Sequence, residues 1–184
     1  MANTIHILGF AGSLRKQSYN RAALKIAQGL VPEGAEMEII TLDNLPLHNQ
    51  DFENDEPQTV RDFKEKIRQA DALFIATPEY NYSISGVLKN AIDWASRPLD
   101  TSPLVRKPTA IMSAGGRFGA VRAQLHLRQI FLFLDTQVVT KPEVMIMNAW
   151  EKFDNEGHLL DEQARQQIEL LVNNLVKKVR ETAS

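Results

Sequence analysis

Short apolar runs at 5–9, 37–42, 73–77 and 109–113, with a fifth segment around 137–147, alternate along the chain with stretches whose apolar residues recur every three or four positions. Each run is nearly continuous in apolar, β-favouring residues, as expected of parallel strands covered on both faces. Between them, Ala23, Ile26, Ala27 and Leu30 fall on one helical stripe, as do Val60, Phe63 and Ile67, and then Val87, Leu88, Ala91 and Ile92. The last segment is the clearest, with Ala164, Ile168, Leu171, Leu175 and Val179 on one side of a helix and charged neighbours on the other. Such alternation means repeated βαβ units, hence an α/β fold: a three-layer sandwich with a five-stranded parallel sheet between two layers of helices. The 184 residues, 43% of them hydrophobic, read as a single domain over 1–184, because a chain of this size buries most of its apolar surface around one core.

Composition narrows the partners. A net charge of −2, with acids and bases interspersed, leaves no broad basic face, so nucleic acid is not an expected partner. No apolar run approaches membrane-spanning length, and "MANTIHILGF" lacks the charged-then-apolar pattern of a leader, so a cytoplasmic protein with no membrane partner is expected. The absence of cysteine removes disulfides and zinc-thiolate sites and fits a reducing compartment. His6, His48, His126 and His158 are scattered without ligand spacing, and the acidic stretch 49–58 lacks calcium-loop spacing, so no metal site is expected.

Three loops carry the chemistry. Each follows a strand and precedes a helix, which places it at the carboxyl end of strand one, three or four; in the order 2-1-3-4-5 those strands are contiguous and the loops converge on one crevice. In "GFAGSLRKQSYNR" (9–21), Ser13, Arg15, Ser18 and Asn20 offer hydroxyl, guanidinium and amide donors at a helix start, where the dipole already favours negative charge. This suits a phosphomonoester, and it equally suits a Ser18 cap beside a solvated loop. The spacing matches neither the dinucleotide fingerprint nor the P-loop. In "TPEYNYS" (77–83), two tyrosines, an acid and an asparagine follow a proline; they can wall a heteroaromatic ring or simply pack on the next helix. In "SAGGRFG" (113–119), Gly115 and Gly116 would let main-chain N–H groups approach a ring with Arg117 adding positive potential, or they form a glycine-rich turn and nothing more.

Taken together, "GSLRKQSYNR", "TPEYNYSISGVLKNAIDWASRP" and "SAGGRFGAVRAQLHLRQ" strongly resemble the NADPH-dependent FMN reductase family, flavodoxin-like proteins that include quinone and chromate reductases and are related to the FMN azoreductases. The resemblance spans essentially the whole chain. It implies FMN as cofactor, NADPH or NADH as electron donor, and a small acceptor such as a quinone, flavin, azo compound or chromate, in a ping-pong reaction whose chemistry belongs to the cofactor, with no dedicated catalytic residue. It assigns the FMN phosphate to Ser13, Arg15, Ser18, Tyr19 and Asn20. It places Pro78, Glu79, Tyr80, Asn81, Tyr82 and Ser83 around the isoalloxazine, and Ser113, Gly115, Gly116 and Arg117 on its pyrimidine side. It also implies a homodimer or a dimer of dimers, for which Leu88, Ile92 and Trp94 offer a face unless they are core. Two departures stand out: Ser85 where the family commonly has proline, and Ala120 where it often has a second glycine. Ser85 can still cap its helix, and Ala120 would narrow the substrate side.

Other classes remain to be weighed. A flavodoxin-type electron carrier would share fold and FMN but normally presents a strongly acidic docking surface, unlike this near-neutral chain with Arg15 and Lys16 in the phosphate loop. A non-catalytic flavin-binding protein would bind FMN without turnover. A serine hydrolase is disfavoured because neither Ser13 nor Ser113 lies in G-x-S-x-G.

Overall fold

The computed structural model describes residues 4–182. In chain order the elements are β1 (Ile5–Ala11), α1 (Tyr19–Gly29), β2 (Ala35–Ile40), α2 (Gln58–Gln69), β3 (Ala72–Ala76), α3 (Gly86–Ala95), β4 (Pro108–Ala114), α4 (Val121–Phe133), β5 (Gln137–Val138), β6 (Val144–Ile146), α5 (Ala149–Lys152) and α6 (Glu162–Thr182). The sheet is parallel throughout and runs β2-β1-β3-β4-β5, the expected order. The fifth apolar segment does not form one strand. It divides into β5, beside Pro108 and Thr109, and β6, beside Met112 to Ala114, so that both pair with β4 and the sheet has six strands. Pro142 lies in the gap, where a residue without an N–H cannot continue a ladder.

The sheet separates two cores. On one face Ala23, Leu24 and Ala27 of α1 and Ile168, Leu171, Val172 and Leu175 of α6 pack on Ile7, Phe74 and Met112. On the other, Phe63 and Ile67 of α2, Leu88 and Ile92 of α3, and Leu127 and Phe131 of α4 pack on Leu8, Phe10 and Ile75. Each fully buried aliphatic or aromatic side chain contributes about 1.5–3 kcal/mol. Leu88, Ile92 and Trp94, offered by the sequence as a dimer face, belong to the chain's own interior: they are 0%, 3% and 0% exposed. Trp94 is further tied down by its indole N–H, which donates to Pro46 O at 2.8 Å. Among the exposed apolar residues, Leu125, Leu132 and Phe133 share one helix, α4. Among the described residues no helix is long and apolar enough to cross a membrane.

Helix starts follow local chemistry. Ser18 caps α1 by accepting from the Arg21 N–H, and Ser85 caps α3 by accepting from the Leu88 N–H. α4 differs: its N-cap residue is Ala120, in the left-handed region at φ 64° and with no side-chain acceptor of its own.

Candidate cofactor site

β1, β3 and β4 are neighbours, so the three loops meet at the carboxyl edge of the sheet, and side-chain hydrogen bonds join them. The Ser85 hydroxyl donates to Gly12 O at 2.6 Å while accepting from the Leu88 N–H at 3.1 Å, which fixes the first loop against α3. There is no room for a side chain at that junction: a Cβ at Gly12 would lie 2.9 Å from Leu88 Cβ and 3.0 Å from Pro78 Cδ. The Asn20 amide donates to Ala114 O at 2.8 Å and accepts from the Ala114 N–H at 2.9 Å, joining α1 to the end of β4. Glu79 accepts from the N–H groups of Arg122 and Ala123 at 3.0 and 3.3 Å and pairs with the Arg122 guanidinium at 3.1 Å. It thereby supplies the cap that Ala120 cannot, and a carboxylate at a helix N-terminus is favoured by the dipole. Arg122 then lies over the rings of Tyr82 at 4.0 Å and Phe118 at 4.9 Å, which links the second and third loops.

These ties leave particular donors unused. Ser13 is 7% exposed, yet its hydroxyl has no protein partner, and the N–H groups of Tyr19 and Asn20 in the first turn of α1 donate to no protein atom among the described residues. The Arg15 guanidinium lies 5.4 Å above the Tyr19 ring and is in no ion pair among the described residues. Such a set fits the phosphate end of FMN, with Ser18 holding the helix start in place.

In the second loop Tyr80 and Ser83 exchange backbone hydrogen bonds of 3.0 and 2.9 Å around Asn81 (φ 49°) and Tyr82 (φ 65°). Two left-handed central residues define a type I′ turn, a geometry that costs a tyrosine about 1–2 kcal/mol. Tyr80 and Tyr82 are held more than half exposed, Pro78 is buried beneath them, and the Ser83 hydroxyl contacts His126 Nδ1 at 3.0 Å.

The third loop is shaped by its neighbours. The Gly115 N–H donates to Ile146 O at 3.0 Å, so of the two glycines expected to offer an N–H to a ring only Gly116 has its N–H unengaged. Ser113 is fully buried; its hydroxyl donates to Gly119 O and accepts from Gln124 Nε2, so it builds the loop from within. Arg117 is exposed and in no ion pair among the described residues. Glycine is required most strictly at position 119, where φ is +57° and a Cβ would lie 3.0 Å from the Met145 backbone. Ala120 presses on Gly115, where a Cβ would meet the Ala120 nitrogen at 3.1 Å.

Trp150 is a site residue that loop motifs did not reveal. Asn148 and Ala149 donate their N–H groups to Gly116 O and Gly115 O, both at 2.9 Å, and this brings the half-exposed Trp150 ring beside Gly116, 3.8 Å from the position of a Cβ there. Beyond α5, Asp154, Glu156 and His158 also gather, with ligand atoms within 4.8 Å of one another. His158 Nδ1 is 2.8 Å from Asp154 Oδ2; that hydrogen bond raises the imidazole pKa above its ordinary value, and hydrogen bonds from His158 hold the Asp154 carboxyl below its own.

Comparison with known proteins identifies the family. Residues 5–151 match the family described as NADPH-dependent FMN reductase. An NAD(P)H-dependent FMN reductase of Pseudomonas aeruginosa is 52% identical over 182 residues, covering 98% of each chain. The quinone reductase of Escherichia coli is 41% identical, with 88% of each chain covered. Among solved structures, FerB, a flavoenzyme NAD(P)H:(acceptor) oxidoreductase from Paracoccus denitrificans, superposes with a TM-score of 0.85 at 32% identity, covering 96% of this chain and 98% of its own.

Proposed function

This chain belongs to the NADPH-dependent FMN reductase family, and from that premise we propose how its own residues serve an FMN-dependent NAD(P)H oxidoreductase. Bound FMN supplies the redox chemistry, taking a hydride from NAD(P)H and returning the electrons to an acceptor. The observation that carries the assignment of residues is the set of unused donors: the Ser13 hydroxyl, the Tyr19 and Asn20 N–H groups and the Arg15 guanidinium at one end of the crevice, and the Gly116 N–H with Arg117 at the other. The first set holds a phosphate. The second supplies positive potential where reduction adds negative charge to the ring, an electrostatic contribution that needs no proton-transfer residue. Tyr80, Tyr82, Phe118 and Trp150 give the opening an apolar rim suited to flat acceptors, and quinones fit it, as the name of the Escherichia coli relative suggests. Asn20, Glu79 and Ser113 act by positioning the loops.

Donor and acceptor use the same opening in turn. Varying NADPH at several fixed quinone concentrations therefore gives parallel double-reciprocal lines, and intersecting lines would require both substrates to be bound at once. Cofactor released by heating migrates as FMN; release of FAD would overturn the phosphate seat.

We further infer a homodimer built on α4, whose exposed Leu125, Leu132 and Phe133 continue from the third loop, so that a second copy would border the crevice. Leu132→Glu should shift the sedimenting species toward monomer, and wild-type protein that sediments as a monomer would contradict the dimer. The reaction is placed in the cytoplasm, where reduced nicotinamide nucleotides are produced.

A further inference from the structure

A groove of about 700 Å³ lies beside the first loop, between the outer face of α1, the turn 154–158 and the start of α6. Arg15, Lys16, Arg21, Lys25 and Arg165 line it, and none is within ion-pair distance of a carboxylate among the described residues. The acids in its wall are engaged by His158, 2.8 Å from Asp154 and 3.6 Å from Glu156. Cations elsewhere on the surface are commonly matched, as Lys66 is to Glu38, Lys89 to Asp93 and Lys152 to Asp161. Arg21 also acts electrostatically on Asp43, and with that one acid set against it, positive charge concentrated in one concave site of a chain of net charge −2 is built for an anion. Ala22, Ile26 and Leu159 form an apolar patch among these cations, so the anion that fits also carries a flat ring.

Position selects among such anions. Arg15 and Tyr19 border both the groove and the phosphate seat, so the groove begins where FMN ends. Tyr19 packs on the buried Phe153 at 5.4 Å between ring centroids, and Phe153 follows the short α5 that carries Trp150 to Gly116, so one stretch of chain runs from beside Gly116 to the groove wall at 154–159. A dinucleotide with its nicotinamide near Gly116 would run alongside FMN and carry its adenosine past the phosphate seat. We propose that this groove holds the adenosine half of NADPH, with Lys25 and Arg165 on its 2′-phosphate and Arg15 and Lys16 on the pyrophosphate side. The proposal rests on the oxidoreductase reading above and adds to it a preference: NADH lacks the 2′-phosphate and gains nothing from Lys25 and Arg165.

Adenosine 2′,5′-bisphosphate titrated into FMN-loaded protein by calorimetry tests this directly. The bisphosphate should bind, be displaced by NADPH, and bind at least about tenfold more tightly than 5′-AMP. Replacing Lys25→Gln and Arg165→Gln together, both exposed and outside the FMN seat, should weaken it about ten- to a hundredfold, the loss of at least one charge-assisted contact. KM for NADPH should rise by a similar factor while KM for NADH, kcat and FMN affinity hold. Unaltered bisphosphate binding in the double variant, an equal rise in KM for both nucleotides, or bisphosphate that NADPH does not displace would each overturn the proposal while normal NADH turnover left the activity reading standing. Failure of the FMN-loaded wild type to oxidise either nucleotide would overturn the activity reading, and the proposal with it.

Discussion

Ser85 and Gly12 are 73 residues apart in sequence and joined by a 2.6 Å hydrogen bond in which the serine hydroxyl donates to the glycine carbonyl. The same oxygen caps α3. Ser85→Ala removes the cap and strands a buried carbonyl, a loss of about 2–4 kcal/mol, or roughly 5–15 °C in Tm for a domain of this size. Ser85→Pro should fare better. Its backbone at φ −67° already suits a proline ring, its N–H donates to nothing, and a stiffer unfolded chain returns about 0.4–1 kcal/mol. Calorimetric melting of the two variants decides this; a proline variant no more stable than the alanine one would show that the backbone at this position gains nothing from the ring, and an alanine variant that melts with the wild type would show that the hydroxyl is not the controlling feature.

Arg15→Ala should weaken FMN by about ten- to a hundredfold, since it removes one charge-assisted hydrogen bond. Fluorescence titration of apoprotein measures the loss. The reduction potential of the bound flavin should not move, because the phosphate has the same charge in both redox states. An unchanged FMN affinity would leave Arg15 to the neighbouring groove alone.

Within the third loop, position and not glycine content determines the response. Gly119→Ala places a Cβ 3.0 Å from the Met145 backbone at φ +57° and should lower Tm markedly, by about 2–4 °C for each kcal/mol of strain. Gly116→Val meets only Trp150, at 3.8 Å, so the fold should hold. There the branched side chain should crowd the unengaged N–H proposed to serve the ring, and spectroelectrochemistry should find a lowered flavin potential. A valine variant with wild-type potential and FMN affinity would reduce this stretch to a turn.

His158 should titrate above the ordinary histidine value of 6.5, because Asp154 accepts its hydrogen bond and adds opposite charge. The sign follows from the direction. A raised histidine pKa stabilises the folded turn fully below about pH 6.5 and ceases to do so as pH rises through the raised value. The lowered pKa of Asp154 acts the other way: its contribution is present above the ordinary 3.8 and fades as pH falls through the lowered value. The turn 154–158 is therefore held most firmly between those two limits. Imidazole proton shifts followed by NMR give the midpoint, which Asp154→Asn should return toward 6.5.

The alternation of strands and helices was legible in the sequence because buried parallel strands leave short continuous apolar runs between helical stripes, and the strand order, with the meeting of the three loops, followed from the flavodoxin-like resemblance. Residues two or three long, held by a partner and not by their own pattern, leave no such trace, and β5 and β6 merged into one expected strand. Within the loops, residue type identified the polar groups but not which way they are engaged. The side chains of Asn20, Glu79 and Ser113 have the chemistry of ligand contacts, and each is engaged by protein, Asn20 and Glu79 across a long sequence separation. Leu88, Ile92 and Trp94 illustrate the same limit on a helix, since apolar spacing is identical for a core and for an interface. Trp150 left no signal because main-chain bonds alone bring its segment to Gly116.

The two tryptophans stand in opposite circumstances. Trp94 is sealed in the interior behind Pro46, while Trp150 is half exposed beside Gly116. Oxidised flavin absorbs light at the wavelengths indole emits. The protein thus carries its own optical gauge: indole emission, above all the red-shifted emission of the solvent-facing Trp150, should dim as the crevice fills, and occupancy can be followed without attaching a dye.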